Sequence, residues 1–222
     1  MRIKVISDTH GKHGFVEMDE VDILIHAGDM GTVREPIENT KVILDCLEWL
    51  SIYPAKYKVV VPGNHDTSIE RNFVTKEQFK EKGVDLLIHE TIQIENLKIF
   101  GSPYTPTFGI GWAYNVGRHK LDDYWRNIEE NTNIVITHGP PRGILDYTEE
   151  DHSLFSQCGD KTLLNRIKEI QPDYHIFGHI HPEKRALNGA TVKLHDCKTQ
   201  FTNAAVCNLD YNVANNGVIF NI

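Results

Sequence analysis

Short apolar runs recur along the chain, and each stops abruptly at polar or glycine-bearing residues. Ile3 to Ile6 leads into Ser7-Asp8-Thr9-His10, Ile23 to Ala27 into Gly28-Asp29, and Val59 to Val61 into Pro62-Gly63-Asn64-His65-Asp66. Ile134 to Ile136 leads into Thr137-His138-Gly139, and His175 to Phe177 into Gly178-His179-Ile180-His181. Runs this short, rich in Val and Ile and bounded by Gly or Pro, predict buried strands. Between them the spacing predicts helices. Ile37 to Leu50 carries apolar residues at Ile37, Val42, Ile43, Leu47 and Leu50 behind Pro36. Thr75 to Lys82 is a short helix capped by Thr75 and closed by Gly83. Leu121 to Glu130 and Thr162 to Gln171 follow, the latter stopped by Pro172. This alternation implies βα units and an α/β core. In such sheets ligands gather beyond the carboxyl ends of the strands, where every polar cluster named above lies.

Two stretches break the rhythm. Ser102 to Tyr114 mixes proline, glycine and aromatic residues and reads as a long ordered loop. From Ala190 onward, Thr191 to Leu194, Thr202 to Val206 and Val218 to Ile222 read as strands without intervening helices. They predict a second, more antiparallel sheet packed on the first. With no linker and no internal repeat, residues 1–222 read as one domain.

Composition narrows the function without naming it. Hydrophobic residues make up 40% and charged residues 24%, the balance of an ordinary globular chain. A net charge of -8 argues against a nonspecific nucleic-acid binder, so no stable nucleic-acid complex is expected. It does not exclude nucleotide chemistry, because a pocket holding divalent ions is locally positive. Cys46, Cys158, Cys197 and Cys207 show no CxxC spacing, and buried thiols are expected. The apolar run at the N-terminus is too short for a signal peptide, and no segment reaches the roughly 18 apolar residues of a membrane span. These features predict a cytoplasmic protein with no membrane partner.

The strand-end clusters offer only carboxylate, amide and imidazole donors: Asp8, His10, Asp29, Asn64, His138, His179 and His181. Such sets suit Mn, Fe, Zn or Ni better than soft-metal chemistry. Seven ligands are too many for one transition-metal site and about right for two sites sharing a carboxylate. Two-metal sites clamp both the attacking and the leaving oxygen of a phosphoryl transfer. Each motif alone is weak; the five in this order at predicted strand ends are specific.

The pattern resembles the calcineurin-like metallophosphoesterase superfamily over nearly the whole chain. Gly101-Ser102-Pro103-Tyr104-Thr105-Pro106, Gly111-Trp112, Thr137-His138-Gly139-Pro140-Pro141, Phe177-Gly178-His179-Ile180-His181 and Asn203-Ala204-Ala205-Val206-Cys207 are similar to its metallophosphoesterase domain-containing subgroup. The resemblance implies a four-layer αββα sandwich of two mixed β-sheets flanked by helices. It implies that Asp8, His10 and His181 hold one divalent metal and Asn64, His138 and His179 the other, with Asp29 bridging. The metals would be drawn from Mn, Fe, Zn, Ni or Mg, manganese foremost. It also implies attack of a metal-bound hydroxide on phosphorus, with His65 stabilising charge and protonating the leaving oxygen. Asp66 is expected either to orient the His65 ring or to be a solvated turn carboxylate. After Gly28-Asp29-Met30-Gly31 the nearest further acid is Glu35, which weakens any analogy to the large protein phosphatases.

The implied substrate is a small phosphate ester, a nucleotide and cyclic ones included, hydrolysed by a phosphodiesterase acting as a monomer or homodimer. A phosphomonoesterase, a nucleic-acid-end phosphatase or nuclease, and a non-catalytic metal-binding scaffold are the alternatives. Tyr104, Phe108, Trp112 and Tyr114 could form a wall for a nucleobase, or cover the sheet or a subunit interface. Arg142 could contact substrate phosphate or stand solvated. His26 is expected to be buried in support of the ligands and His13 to be exposed. His89, His119, His152, His175 and His195 are expected to be structural or exposed.

Overall fold

The computed structural model describes residues 1–150, 154–182 and 189–222; His152 lies outside them. The chain runs through β1 (Arg2–Ile6), β2 (Val21–His26), α1 (Pro36–Ile52), β3 (Ala55–Val60), α2 (Thr67–Glu70), α3 (Lys76–Glu81) and β4 (Asp85–Leu86). Next come β5 (Glu90–Ile94), β6 (Leu97–Ser102), β7 (Thr105–Pro106), β8 (Asn115–Val116), α4 (Arg118–Trp125) and β9 (Ile134–Thr137). Then follow β10 (Tyr147–Glu150), β11 (Leu154–Gln157), α5 (Lys161–Ile170), β12 (Tyr174–Phe177), β13 (Thr191–Lys193), β14 (Gln200–Asn203) and β15 (Val218–Asn221).

Two large sheets carry the architecture. One has the order β15-β1-β2-β3-β4 and the other β13-β14-β12-β9-β6-β5. The alternation of side chains along each strand builds the layers. Ile3 and Val5 of β1, Ile23 and Ile25 of β2, Ile134 and Ile136 of β9 and Ile176 of β12 meet in the core between the sheets. The opposite face of the first sheet, with Ile6, Leu24 and Val60, packs on Ile43, Leu47 and Leu50 of α1 and Phe79 of α3. That of the second, with Phe100, Val135, Phe177 and Phe201, packs on Leu121 and Trp125 of α4 and Leu163 and Ile167 of α5. The result is helix, sheet, sheet, helix, as the resemblance implied.

The five anticipated strands and the first, second and fourth helices form within a few residues of their expected limits. The third helix, expected over Leu121 to Glu130, is α4 at Arg118–Trp125, because Gly117 caps it a turn earlier. The C-terminal strands do not form a sheet of their own. β13 and β14 extend the sheet of β9 and β12, whereas β15 pairs antiparallel with β1. Nor is the second sheet mainly antiparallel: β6, β9, β12 and β14 run parallel, with antiparallel β5 and β13 at the edges. Among the strands not anticipated are β5 and β6; in β5, polar Glu90, Thr91 and Gln93 on an edge strand hide the apolar signal. The Ser102 to Tyr114 loop is pinned by the short parallel pairing of β7 with β8.

This arrangement brings the carboxyl ends of β1, β2 and β3 to face those of β9 and β12. An isolated bridge between Ser7 and Ala205, with Val206 N donating to Ser7 O at 3.0 Å, stitches the sheets together there.

Candidate metal centre

Each strand end turns sharply, and the turns are strained. Asp8 (φ 54°), His10 (φ 42°), Asp29 (φ 58°) and His179 (φ 71°) all occupy the left-handed region that non-glycine residues avoid. Such conformations cost of order 1–3 kcal/mol each and persist where surroundings over-determine them. Here the surroundings are hydrogen bonds between loops. Asp8 N donates to Gly28 O (2.8 Å), His10 N to Asp29 O (3.1 Å) and Gly11 N to Met30 O (2.9 Å), zipping the first loop to the second. His179 N donates to both carboxylate oxygens of Asp8, crossing from one sheet to the other. Gly28 (φ 105°) lies so close to the His138 ring and to Gly63 that no side chain fits, and a Cβ on Gly178 would collide with Ser7 Oγ and Asp8 Oδ2.

The seven anticipated ligands converge at this junction. Asp8, His10 and His181 offer ligand atoms within 4.8 Å of one another, and so do Asp29, His138 and His179. A third group, His10, Asp29 and His65, joins them. Asn64 Oδ1 lies 2.9 Å from His138 Nε2. Asp29 sits centrally, with Oδ1 3.3 Å from His138 Nε2 and Oδ2 3.9 Å from both His10 Nε2 and His65 Nε2.

The imidazoles are oriented by backbone carbonyls. Nδ1 donates to Gly31 O in His10, to Thr32 O in His65, to Ala27 O in His138 and to Asn208 O in His181, at 2.8–2.9 Å. A carbonyl can only accept, so each Nδ1 carries a proton, and each ring turns its Nε2 inward. His10 Nε2 and His181 Nε2 face each other at 3.1 Å, with Asp8 Oδ1 3.4 Å from His181 Nε2. His138 Nε2 likewise faces the oxygens of Asn64 and Asp29. Imidazole nitrogens, an amide oxygen and carboxylates converging in this way are held together by cations or by shared protons. The donor set therefore fits divalent metals, with outer hydrogen bonds fixing each ring as metal-binding histidines require.

The electrostatics agree. Burial raises the Asp29 carboxyl, but the positive potential of His138, His65 and His10 outweighs it and holds it well below the usual range. Asp8 is likewise lowered despite its burial, by the bond from His181 and by His138. Burial lowers His138, yet Asp29 pushes it up to about 9. The paired carboxylates draw positive charge into a largely buried site.

Comparison with known proteins decides the family. A family model described as calcineurin-like phosphoesterase matches residues 1–183. The chain belongs to that family. It is also 31% identical to human metallophosphoesterase domain-containing protein 1, over all of this chain and 71% of that protein. A UPF0046 protein of Caenorhabditis elegans is 32% identical over all of this chain and 75% of its own length. Phosphopantetheinyl hydrolase from Mycobacterium tuberculosis shares the fold, with a TM-score of 0.59 at 15% identity over 94% of this chain and 90% of that one. With its His and Asp clusters, this calcineurin-like phosphoesterase is a metal-dependent phosphoester hydrolase.

Other expectations fare differently in this metallophosphoesterase. Asp66 is fully buried rather than solvated, and the His65 ring is oriented by Thr32 O instead. Asp66 accepts from the backbone N–H groups of Asp29 (3.0 Å), Gly31 (2.8 Å) and Gly63 (2.7 Å), tying the second loop to the third. Burial and the neighbouring Asp29 push its carboxyl up to about 7 against the pull of those N–H groups. Arg142 is not among the residues lining the cavity and donates to Gln157 O at 3.0 Å. Tyr104 packs against Tyr124 and His89 behind the site, whereas Trp112 and Phe108 line the cavity over the metal ligands. His26 is buried, with Nε2 on Thr9 Oγ1 at 2.9 Å. His13, expected exposed, is buried and paired with Asp45 at 3.1 Å.

Three functional contributors escaped the sequence pattern. Asn39 is buried in α1, donating to His65 O (2.7 Å) and Val33 O (2.9 Å) and accepting from Ser68 N. Its signal was present: Asn39 continues the buried stripe of Ile43, Cys46 and Leu50, so it is an amide at an apolar phase of the helix. Asn208 and Tyr211, which orient and cover His181, had no such signal, because a turn at the far end of the chain brings them back.

Proposed function

We propose that this family member hydrolyses phosphodiesters of small nucleotides, cyclic ones included, with two divalent metal ions. Asp8, His10 and His181 would hold one and Asn64, His138 and His179 the other, with Asp29 shared. The observation that carries the reading is the pair of ligand groups on either side of Asp29, beneath a cavity of about 220 Å³ that Trp112 and Phe108 help line. Bound cations would withdraw electron density from phosphorus and make water acidic enough to attack.

The chain's own residues do the rest. Asn39 and Asp66 fix the loop of Asn64 and His65. Thr32 O holds His65 Nδ1, leaving Nε2 aimed at the centre. As the water oxygen bonds to phosphorus, the ester P–O bond opposite breaks. His65 Nε2 gives its proton to the departing oxygen, and a proton of the attacking water passes to solvent. Trp112, whose ring centre lies 4.5 Å from that of His65, offers a planar face to a nucleobase. Buried thiols at Cys46, Cys197 and Cys207 fit a reducing, cytoplasmic setting. Among the described residues no helix is long and apolar enough to cross a membrane.

The test compares bis-p-nitrophenyl phosphate with p-nitrophenyl phosphate in the presence of Mn²⁺, followed by 2′,3′- and 3′,5′-cyclic nucleotides. Faster turnover of the diester, and of at least one cyclic nucleotide, is expected. Negligible diesterase activity with Mn, Fe, Zn, Ni and Mg alike would overturn the proposal.

A further inference from the structure

The cavity over the ligand cluster has two apolar walls. Phe108 and Trp112 form one, with Phe108 5.1 Å from the His179 ring and Trp112 4.5 Å from that of His65. Leu209 and Tyr211 form the other. The Tyr211 ring stands edge-on to His10 at 4.7 Å and to His181 at 5.5 Å. Phe108, Leu209 and Tyr211 are 51%, 57% and 44% exposed, so apolar faces stand open beside a buried polar floor.

The second wall is built rather than draped. Asn208 Oδ1 accepts from Asp210 N and Asn212 N, and Asn208 O accepts from Tyr211 N and His181 Nδ1. Tyr211 adopts φ 57°, a conformation disfavoured for a bulky residue and therefore imposed by that turn. One residue thus orients His181 and delivers the Tyr211 ring above it. The turn lies beyond residues 1–183 that the family model matches.

We infer that the two walls are separate subsites for the two organic substituents of a phosphodiester, with Tyr211 the specificity-determining residue for the group that stays on phosphorus. The inference rests on the phosphodiester reading above. Departure in line with attack places the leaving oxygen at its proton donor. His65 is in contact with Trp112 at 4.5 Å and stands 6.5 Å from Tyr211. The leaving group therefore takes the Phe108–Trp112 wall, and the retained group lies against Leu209 and Tyr211.

Bis-p-nitrophenyl phosphate and methyl p-nitrophenyl phosphate share a leaving group and differ in the retained one. With Mn²⁺ bound, Tyr211→Ala is expected to raise KM for the first about tenfold, the scale of one lost aromatic stack. The readout is the ratio of kcat/KM for the first to that for the second, which should fall about tenfold whatever the loss of the ring over His10 and His181 does to the rate of both. Tyr211→Phe should behave as the parent, and Trp112→Ala should raise KM for both. The same contrast is read without turnover by calorimetric affinity for diphenyl phosphate against dimethyl phosphate. That ratio should fall about tenfold in Tyr211→Ala, with dimethyl phosphate reporting an intact site. An unchanged ratio, or equal loss for both ligands, overturns the subsite assignment. Absence of diester turnover with the expected affinity ratio would overturn the phosphodiester reading alone.

Discussion

The two ends of the sheets each open a cavity, and the larger one is not the site. At the amino ends of β9 and β12 lies a space of about 770 Å³ bordered by Met1, Asn133, Asp173, Lys193 and Lys198. At the carboxyl ends the space is about 220 Å³. In the larger cavity Asp173 is paired with its neighbours: Lys198 Nζ lies 3.2 Å from its Oδ1, and Asn133 Nδ2 donates to its Oδ2. In the smaller one, imidazole nitrogens and carboxylates converge on one point, four strained non-glycine residues hold them there, and the carboxylates are fully buried. Volume measures room, whereas unsatisfied, preorganised polarity measures the capacity to bind charge.

That contrast can be broken most forcibly at Asp29. Asp29→Asn removes the charge common to both ligand groups, and kcat/KM for a diester is expected to fall by about 10⁴ or more. Mn²⁺ at a hundredfold over its Kd should stabilise the parent by about 2.7 kcal/mol, raising Tm by about 5–10 °C. The variant should lose most of that shift, and a parent-like shift would mean the cations bind elsewhere. His65→Ala is expected to keep its metal content by elemental analysis while kcat drops about 10³-fold. Full activity in that variant would remove the assigned role.

A smaller effect is expected where the connection is indirect. Asp66→Asn replaces one of two acceptor oxygens with a donor amide facing backbone N–H groups. Metal affinity should weaken about 10- to 100-fold by titration, with KM for substrate nearly unchanged at saturating metal. At the opposite end, Lys198→Ala breaks an exposed pair whose lysine and aspartate are 59% and 50% exposed. Stability should change by no more than about 0.5 kcal/mol in urea titration, with activity intact. A large loss of activity there would show that the amino-end cavity also serves the reaction.

Much of this was legible in the residue order. Strand ends rich in Gly, Asp and His announced the carboxyl-end site, since buried Val and Ile runs locate the strands and their polar exits locate the loops. Asp66 was legible as part of the motif but not in its task. Its neighbour in sequence is His65, yet its partners are N–H groups of Asp29, Gly31 and Gly63, reached only once β2 and β3 lie side by side. Arg142 follows His138 closely in the chain and still turns to Gln157, because the intervening Pro140-Pro141 segment is bonded to Asp160 and leads away from the cavity.

Local sequence determined the strands, the principal helices and the inventory of donors, because periodicity, caps and turn residues act within a few positions. The sheet to which each C-terminal strand belongs, the tautomers of the imidazoles and the return of Asn208 and Tyr211 over His181 were decided by tertiary structure alone. Each depends on groups separated by tens to hundreds of residues, and no local preference encodes which carbonyl will meet which ring once two sheets have packed.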